Sequence, residues 1–441
     1  MNVCLLNDSF PPVIDGVANT VFNYADIMQR EGLANVLVGT PKYPDTDYDS
    51  YSFRVVPYKS FDTTRLVNGY RAGNPFVIKE LIDMENFGPE IIHSHCPVVS
   101  TFIARALRTR LEAPIVFTYH TKFDQDIEKS FKGNLMRREA VKAIVSNIEA
   151  CDEVWVVSEG AGENLRSLGF TGDYRVVCNG VDFPKGRIDD DKVKEAVASY
   201  DLPEGVPVFL FVGRIMKYKG LPLIVDALSM LAKDGIDFRM VFIGGGADLE
   251  EIKGMAESAG IYSENGQSKC IFAGPVYDRE VLRAWNTRAD LFLFPSSYDT
   301  NGIVVREAAA CGLASVLLKG SCAAEGITDD RNGFIIDEDP KSMYELLKRL
   351  SGQRDHMKDV GQNAMDEIYI SWESSVHDAF DRYKTVIENK KAGLYNTKRH
   401  KIAGTVIEFT DDLIYEMREI AKESRERFKD SRMFINSMFN R

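Results

Sequence analysis

Short runs of β-branched and aromatic residues alternate with longer amphipathic stretches along most of the chain, and this alternation limits the fold more than any other feature. It is typical of parallel sheets covered by helices on both faces. The first series of predicted strands is 2–7, 34–39, 53–57, 90–94, 114–120, 153–158 and 174–178. A second series follows at 206–213, 238–244, 269–273, 291–295, 314–318 and 333–337. The pattern predicts two α/β halves, each a doubly wound, Rossmann-like sheet.

Helical periodicity separates these strands and dominates the end of the chain. The clearest helical stretches are 221–233, 247–259, 279–288, 342–350, 357–370, 372–388 and 411–439. A turn-rich segment, 179–186, stands between the two strand series and is the best linker. We predict an N-terminal domain at 1–182, a C-terminal domain at 183–371 and a helical extension at 372–441. The first helix of that extension is expected to cross back to the N-terminal domain.

Composition agrees with a two-domain globular protein and excludes several classes. The 441 residues are 44% hydrophobic and 27% charged, with a net charge of −12, which argues against a general nucleic-acid-binding surface. The seven cysteines are scattered without a CxxC pair, so neither a disulfide framework nor a zinc site is indicated. The N-terminus lacks a basic leader, and the apolar runs are short. We therefore expect a cytoplasmic protein, soluble or peripheral to a membrane.

Two doubly wound domains that face each other form a cleft lined by the carboxyl ends of both sheets, where ligands of such folds bind. The chain lacks a P-loop, and the first strand leads into residues 8–16 without a GxGxxG turn. Kinase-type and dinucleotide sites are therefore disfavoured. The glycines at 244–246 follow a strand, but their spacing favours a tight turn over a cofactor site.

Two cations and two acids mark the second domain's side of this cleft. Arg214 ends a strand and Lys219 opens the next helix, so both can converge on a pyrophosphate. Taken alone, this pair favours two solvated surface cations, and the neighbouring motifs reverse that preference. Asp299 lies in the loop after another predicted strand, and Glu307 follows on a short helix. A carboxylate at Glu307 can accept hydrogen bonds from ribose hydroxyls, or pair with a neighbouring Lys or Arg.

The spacing Asp299-x₇-Glu307, followed by Ala308-Ala309-Ala310-Cys311-Gly312, resembles the acidic E-x₇-E signature of retaining glycosyltransferases of family 4, which have the GT-B fold. Other motifs occur in the order and spacing of that family: Phe211-Val212-Gly213-Arg214 with Lys219-Gly220, Asn179-Gly180-Val181-Asp182, Phe272-Ala273-Gly274-Pro275-Val276 and Asn332-Gly333. The resemblance covers roughly residues 1–385. The sequence departs from the family at Asp299, where Glu is usual, and at Asn301, where an aromatic residue is common.

The resemblance implies a role for each motif. Arg214 and Lys219 would neutralise the nucleoside diphosphate, Glu307 would bind the ribose, and Asp299 would hold the donor sugar. The donor-binding set it implies is Gly16, Arg214, Lys219, Val276, Asn301, Gly302, Ile303, Val304 and Glu307. The family needs no cofactor and no obligatory metal, because fixed cations and helix dipoles stabilise the leaving diphosphate. The Asp-x-Asp triplets at 45–47, 124–126 and 337–339 are interpreted as chance in an acidic chain.

Three histidines end predicted strands of the first domain. His120 lies in the segment where this family places a histidine beside the transferred sugar, so the implied catalytic residues are His120, Asp299 and Glu307. His93 and His95 are interpreted as structural.

The implied reaction is transfer of a hexose from a nucleotide sugar, most simply a UDP-sugar, to an acceptor hydroxyl. The family reacts on one face of the sugar, so no protein nucleophile is required, and the sequence shows no Ser-His-Asp or Cys-His arrangement. A GT-B-fold nucleotide-sugar epimerase and a non-catalytic nucleotide-sugar-binding subunit stay open as alternatives.

The acceptor is inferred from a narrower resemblance. The His93-Ser94-His95 turn, the Tyr119–Asp126 segment and Asn301-Gly302 look most like bacterial enzymes that glucosylate diacylglycerol at the membrane surface. Residues 101–142 carry nine Lys or Arg against five acids, a local balance of +4, and include Phe131, Leu135 and Met136. Such a surface could bind anionic lipid on the inner face of the cell membrane. The alternatives are a solvated helix face and a soluble sugar or small-molecule acceptor.

Overall fold

The computed structural model describes residues 1–13, 15–62, 71–74, 78–122, 133–264 and 266–395. The predicted helix at 411–439 lies outside the described residues. Within them, no helix is both long enough and apolar enough to span a membrane.

The N-terminal half contains a seven-stranded parallel sheet in the order β3-β2-β1-β6-β7-β8-β9. Its strands are β1 (Asn2–Leu6), β2 (Asn35–Pro41), β3 (Arg54–Tyr58), β6 (Ile91–Ser94), β7 (Ile115–Tyr119), β8 (Glu153–Val156) and β9 (Arg175–Val176). A small antiparallel hairpin, β4 (Ser60–Asp62) with β5 (Arg71–Gly73), was not predicted. Its three-residue strands are too short for periodicity to identify.

The C-terminal half contains a six-stranded sheet, also parallel, in the order β12-β11-β10-β13-β14-β15. Its strands are β10 (Val208–Val212), β11 (Arg239–Ile243), β12 (Cys270–Gly274), β13 (Leu291–Phe294), β14 (Ser315–Leu318) and β15 (Phe334–Ile336). This order is that of a Rossmann sheet. The prediction of two doubly wound halves is confirmed.

Helices cover both faces of each sheet. In the N-terminal half they are α1 (Gly16–Arg30), α2 (Ile78–Phe87), α3 (Val99–Leu111), α4 (Asn134–Glu149) and α5 (Glu159–Ser167). In the C-terminal half they are α6 (Asp190–Val197), α7 (Leu221–Lys233), α8 (Leu249–Ser258), α9 (Arg279–Arg288), α10 (Ile303–Ala310), α11 (Pro340–Leu350) and α12 (Arg354–Glu367), followed by α13 (Trp372–Lys391). Short 3₁₀ turns occur at Lys217–Lys219 and Cys322–Ala324.

Strand β7 shows why these sequences form central parallel strands. All five of its residues are buried, and their side chains alternate between the two faces of the sheet. Ile115, Phe117 and Tyr119 pack into one core cluster, whereas Val116 packs into a second cluster with Trp155. Because both faces are covered by helices, the strand sequence is apolar except for Thr118 and does not alternate between apolar and polar residues.

Helix α13 lies against the N-terminal sheet. Its Tyr383 stacks on Trp155, with ring centroids 5.6 Å apart, and its Arg382 binds Glu153 through two hydrogen bonds of 2.5 and 2.7 Å. The two segments that join the halves run side by side, since the Val181 amide donates to the Ile370 carbonyl at 3.0 Å. The boundaries at 182 and 371 stay predictions.

Each sheet has a point where consecutive crossovers turn to opposite sides, between β1 and β6 in the first sheet and between β10 and β13 in the second. At such switch points the loops after the two strands diverge and leave a crevice at their carboxyl ends. The loops after β10 and β13 begin at Gly213 and Pro295, next to the predicted donor-site residues.

Candidate active site

Lys219 and Asp299 meet at the switch point of the C-terminal sheet. They are 80 residues apart in sequence, yet the Lys219 ammonium contacts the Asp299 carboxylate. The other oxygen of that carboxylate accepts a hydrogen bond from the Ser296 hydroxyl at 2.6 Å. Lys219 is buried, with 8% of its surface exposed, so the pair is only weakly screened by water. The structure thus brings together two of the predicted site residues.

Gly220 allows this contact. It adopts φ +79°, and a Cβ there would overlap the carbonyl oxygen of Pro295. Any other residue would therefore force the loop after β10 away from the loop after β13. The glycine holds Lys219 against the segment that carries Asp299.

Arg214 differs from Lys219 in its surroundings. It follows β10 and is exposed, and no hydrogen bond or ion pair joins its guanidinium to the part of the chain that the structure describes. A cation at the mouth of this crevice is available to an anionic ligand without first breaking an internal ion pair.

Glu307, on α10, is buried and paired with a cation that was not among the predicted site residues. Its Oε1 accepts a hydrogen bond from Nη2 of Arg279 at 2.5 Å. Arg279 also approaches Asp182 at 3.6 Å and lies over the Phe183 ring at 4.4 Å from its centroid. Burial raises the pKa of Glu307, and the nearby Arg279 opposes that rise.

One sequence signal could have identified Arg279. It is the first residue of α9, where the positive end of the helix dipole disfavours a cation. A cation at that position therefore suggests a nearby acid that stabilises it, and in the structure this acid is Glu307.

The start of α10 carries the remaining predicted sugar-side residues. Gly302 precedes the helix with φ +57°, and a Cβ there would lie 3.0 Å from that of Ala323. Ile303 and Val304 form the half-buried first turn. The amide oxygen and nitrogen of Asn301 are both buried without a hydrogen-bond partner among the described residues. An amide in this state is costly unless a ligand or a local movement satisfies it.

Gly16 and Val276 complete the predicted donor set. Gly16 begins α1, whose first turn is capped by Asp15 at 2.7 Å from the amides of Val17 and Ala18. A Cβ on Gly16 would be 4.0 Å from Cδ1 of Ile303, so the N-terminal half faces the start of α10. Val276 lies half-buried in the loop between β12 and α9, packed on the C-terminal core.

His120 follows β7 on the opposite side of the cleft and is 8% exposed. Its Nε2 lies 2.9 Å from Nδ1 of His95, a hydrogen-bonding distance. Burial lowers the pKa of His120 to about 3, so the imidazole is neutral at physiological pH.

His95 and His93 continue inward from His120. The ring centroids of His93 and His95 are 3.9 Å apart. The two ring nitrogens of His93 lie 2.5 Å from the Tyr383 hydroxyl and 2.7 Å from the Thr118 hydroxyl. The histidines thus form one buried row from the cleft to α13, and burial holds the pKa of both His93 and His95 well below the usual range.

The two halves touch beside these residues. The Thr300 hydroxyl donates to the His120 carbonyl at 2.7 Å, and the Ser158 hydroxyl donates to the Thr300 carbonyl at 2.5 Å. Glu325 accepts hydrogen bonds of 2.7 Å from the amides of Glu159 and Gly160, which begin α5. Groups from both halves therefore surround the crevice.

Two of the glycines at 244–246 are explained by packing. A Cβ on Gly244 would overlap the carbonyl oxygen of Gly213, and one on Gly246 would overlap that of Ile215. They let the loop after β11 lie against the loop after β10. No group of three or more His, Cys, Asp or Glu side chains that could hold a metal occurs in the described ranges.

Two family models match the chain, one to each half. "Glycosyltransferase Family 4" matches residues 14–184, and "Glycosyl transferases group 1" matches residues 192–367. The chain is a glycosyltransferase, and its N-terminal half matches the family 4 model. The enzyme class predicted from the acidic signature is confirmed by these matches, which together span most of the described residues.

Curated relatives of this glycosyltransferase differ in their sugars. An alpha-monoglucosyldiacylglycerol synthase of Streptococcus pneumoniae is 23% identical, covering 75% of this chain and 74% of that protein. A sulfoquinovosyl transferase of Arabidopsis thaliana is 26% identical, with 80% and 67% covered. A GDP-mannose-dependent alpha-mannosyltransferase of Mycobacterium tuberculosis is 25% identical, with 76% and 84% covered.

Solved structures confirm the GT-B fold of this glycosyltransferase. Anabaena Alr3699/HepE, crystallised in complex with UDP, superposes with a TM-score of 0.70 at 14% identity and covers 87% of this chain and all of that one (100%). Sucrose-phosphate synthase from Thermosynechococcus elongatus gives a TM-score of 0.67 at 19% identity, with 88% and 99% covered.

Proposed function

We propose that this glycosyltransferase moves a hexose, with retention of configuration and without a metal, from a UDP-sugar to the hydroxyl of diacylglycerol at a membrane surface. The proposed donor site is supported chiefly by the contact between Lys219 and Asp299 at the switch point of the C-terminal sheet. It joins a phosphate-binding cation to a sugar-binding acid in one crevice.

The diphosphate would bind to Arg214 and Lys219. Arg214 is already available, whereas Lys219 exchanges the Asp299 carboxylate for a phosphate oxygen. This exchange keeps the buried ammonium paired with an anion throughout, so binding of the diphosphate does not leave a buried charge without a partner. It also releases an oxygen of Asp299 to accept a hydrogen bond from a sugar hydroxyl. Both cations then stabilise the charge that develops on the leaving diphosphate.

The ribose would bind to Glu307. Oε1 of this carboxylate is engaged by Arg279, and Oε2 accepts no hydrogen bond from any residue in the described part of the chain. Arg279 opposes the rise in the pKa of Glu307 that burial causes and so favours the ionised carboxylate, which is the better acceptor for ribose hydroxyls. The cation thus prepares the acid for its ligand.

The transfer step needs a neutral group near the sugar. Positive charge develops on the sugar as the diphosphate leaves, and a protonated imidazole would oppose it. The depressed pKa of His120 keeps that side chain neutral and able to orient a hydroxyl. The departing phosphate oxygen takes the acceptor proton on the same face of the sugar, which gives retention without a protein nucleophile.

The membrane surface we propose is the first turn of α4. Leu135 and Met136 are 72% and 39% exposed, next to the exposed Arg138. An apolar pair beside a cation suits the interface of an anionic bilayer.

Part of the basic segment 101–142 does not contribute to that surface. Arg108 is buried and paired with Asp152 at 3.4 Å, and Arg110 pairs with Glu85 at 2.6 Å. The local net charge of +4 therefore overstates the number of cations in this segment that can bind lipid. Phe131 lies outside the described residues.

A donor and acceptor panel tests the reaction. Vesicles containing diacylglycerol are incubated with UDP-glucose, UDP-galactose, GDP-mannose or ADP-glucose, with and without EDTA. We expect free UDP and an α-linked glycolipid, unchanged by EDTA. Efficient transfer to a soluble sugar without glycolipid would reject the lipid acceptor. A converted nucleotide sugar without free UDP would instead indicate an epimerase.

Vesicle sedimentation tests the membrane surface separately. Leu135→Glu should weaken binding to vesicles rich in anionic lipid, because it places an acid at the interface. Met230→Glu is the matched control, since Met230 is 37% exposed on α7 of the other half. Equal binding of both variants and the parent would reject the α4 surface.

A further inference from the structure

His120 presents its two ring nitrogens to different environments. Nε2 points inward and lies 2.9 Å from Nδ1 of His95. Nδ1 has no hydrogen-bond partner among the described residues, and it is absent from the set of fully buried, unpaired polar atoms. Nδ1 is therefore the nitrogen of His120 that a ligand in the cleft can reach.

A neutral imidazole carries one proton, so the hydrogen bond between His95 and His120 has two possible directions. If His120 donates through Nε2–H, then His95 must accept at Nδ1 and carry its own proton on Nε2. If His95 donates through Nδ1–H, then His95 is bare at Nε2, and His120 carries its proton on Nδ1. The direction of one buried hydrogen bond thus decides whether Nδ1 of His120 is a hydrogen-bond donor or an acceptor towards the cleft.

The environment of His95 distinguishes these two directions. Nε2 of His95 is fully buried and has no partner in the described structure. The His95 ring packs against the rings of His93 and Tyr24, at centroid-to-centroid distances of 3.9 and 5.8 Å. A proton on that nitrogen would be an orphaned buried donor, which folded proteins rarely tolerate, whereas a bare aromatic nitrogen leaves only an unused lone pair. The second direction is therefore favoured.

We propose that His95 is a positioning residue that fixes the tautomer of His120, so that His120 presents an Nδ1–H donor to the cleft. The inference rests on the proposed role of His120 beside the sugar. The Nδ1–H group of His120 would donate a hydrogen bond to an oxygen of the ligand, such as a hydroxyl or ring oxygen of the donor sugar. A nitrogen that already carries its proton cannot remove one, so His120 orients the sugar and does not act as a base.

The row behind His95 keeps its ring in place. His93 packs against it and is itself held at both nitrogens by the hydroxyls of Tyr383 and Thr118. Tyr383 comes from α13, so a helix beyond the second domain supports the orientation of a histidine in the first. The positioning role therefore depends on long-range packing.

The test is ¹⁵N NMR of the full-length protein labelled at its six histidines. Protonated and bare imidazole nitrogens give distinct resonances, which report the tautomer without any assay of activity. We expect His120 in the Nδ1–H form in the parent. His95→Leu should lose that single form, and its kcat should fall about tenfold with little change in KM.

His95→Asn provides the rescue. Its side-chain amide nitrogen occupies the δ position and can donate to Nε2 of His120, so both the Nδ1–H form and most of kcat should return. His377→Gln is the control, because this half-exposed histidine pairs with Glu31 at 2.5 Å outside the buried row, and it should leave the His120 tautomer unchanged. An Nε2–H resonance for His120 in the parent would overturn the inference even if the enzyme is active. A fixed Nδ1–H form in a protein inactive with every nucleotide sugar would instead count against the proposed function alone.

Discussion

The hydroxyl of Thr300 donates a hydrogen bond of 2.7 Å to the main-chain carbonyl of His120. Thr300 belongs to the loop between β13 and α10 of the C-terminal half, which we call the donor loop because it carries the proposed donor-site residue Asp299. His120 belongs to the N-terminal half. The segment that carries Asp299 is therefore tied directly to the histidine on the other side of the cleft. Donor loop and histidine should move together when the halves close on a ligand.

Thr300→Val removes this tie while keeping the shape of the side chain. We expect kcat to fall about tenfold, because the lost hydrogen bond lets His120 and the donor loop separate. Steady-state kinetics measure the change, and Thr300→Ser, which keeps the hydroxyl, should retain most of the activity. A Val variant as fast as the parent would show that the contact has no part in turnover.

Lys219→Met should weaken UDP binding about 10- to 150-fold, since a charge-assisted contact worth roughly 1.5–3 kcal/mol is lost. Isothermal titration with UDP measures the affinity. The matched control is Lys217→Met, because Lys217 lies on the same 3₁₀ turn but is exposed and pairs with Glu251 at 2.8 Å. Similar affinities for the two variants would remove Lys219 from the donor site.

Arg279→Ala should weaken UDP binding most at low pH. Without the guanidinium, burial raises the pKa of Glu307 further, and the protonated acid accepts ribose hydroxyls poorly. Binding of this variant should therefore recover as the pH rises, whereas Glu307→Gln should stay weak at every pH. Titrations between pH 5 and 8 compare the two. A pH-independent Arg279→Ala defect would contradict the coupling.

Asp299→Ala should separate sugar binding from nucleotide binding. Its carboxylate is proposed to contact the sugar, so affinity for the intact UDP-sugar should fall about tenfold while affinity for UDP changes little. Removal of the acid also frees Lys219 from its partner, which favours the diphosphate. Equal losses for UDP and UDP-sugar would exclude the sugar contact.

Acid should destabilise the protein through the buried histidine row. Burial lowers the folded-state pKa of His93, His95 and His120, so the unfolded chain binds more protons once the pH falls below about 6.5. Their stabilisation is therefore present above that pH and is lost as the pH falls towards the folded-state values, by about 1.4 kcal/mol per pH unit for each histidine. Urea unfolding of His93→Gln between pH 6 and 4 should show a slope smaller by that amount. An unchanged slope would mean that the row is not responsible.

The regular elements follow from local pattern. The predicted helices at 221–233 and 279–288 agree with the observed Leu221–Lys233 and Arg279–Arg288, because their apolar residues recur with helical spacing and each begins after a turn or capping residue. The β4–β5 hairpin was missed because strands of three residues carry no period. Local spacing determines an element only when the element is long enough to repeat.

Local sequence pattern specifies two Rossmann-like halves and their parallel strands, and the sequence predicts the residue types of a nucleotide-sugar site at the ends of those strands. The partners of these residues depend on the folded chain: Lys219 with Asp299, Arg279 with Glu307, and His120 with His95. Each pair joins elements that are distant in the chain, and which of several like-charged side chains comes within hydrogen-bonding distance depends on strand order and helix packing. The periodicity that builds a strand acts over a few residues, whereas these contacts form only when whole strands and helices have packed.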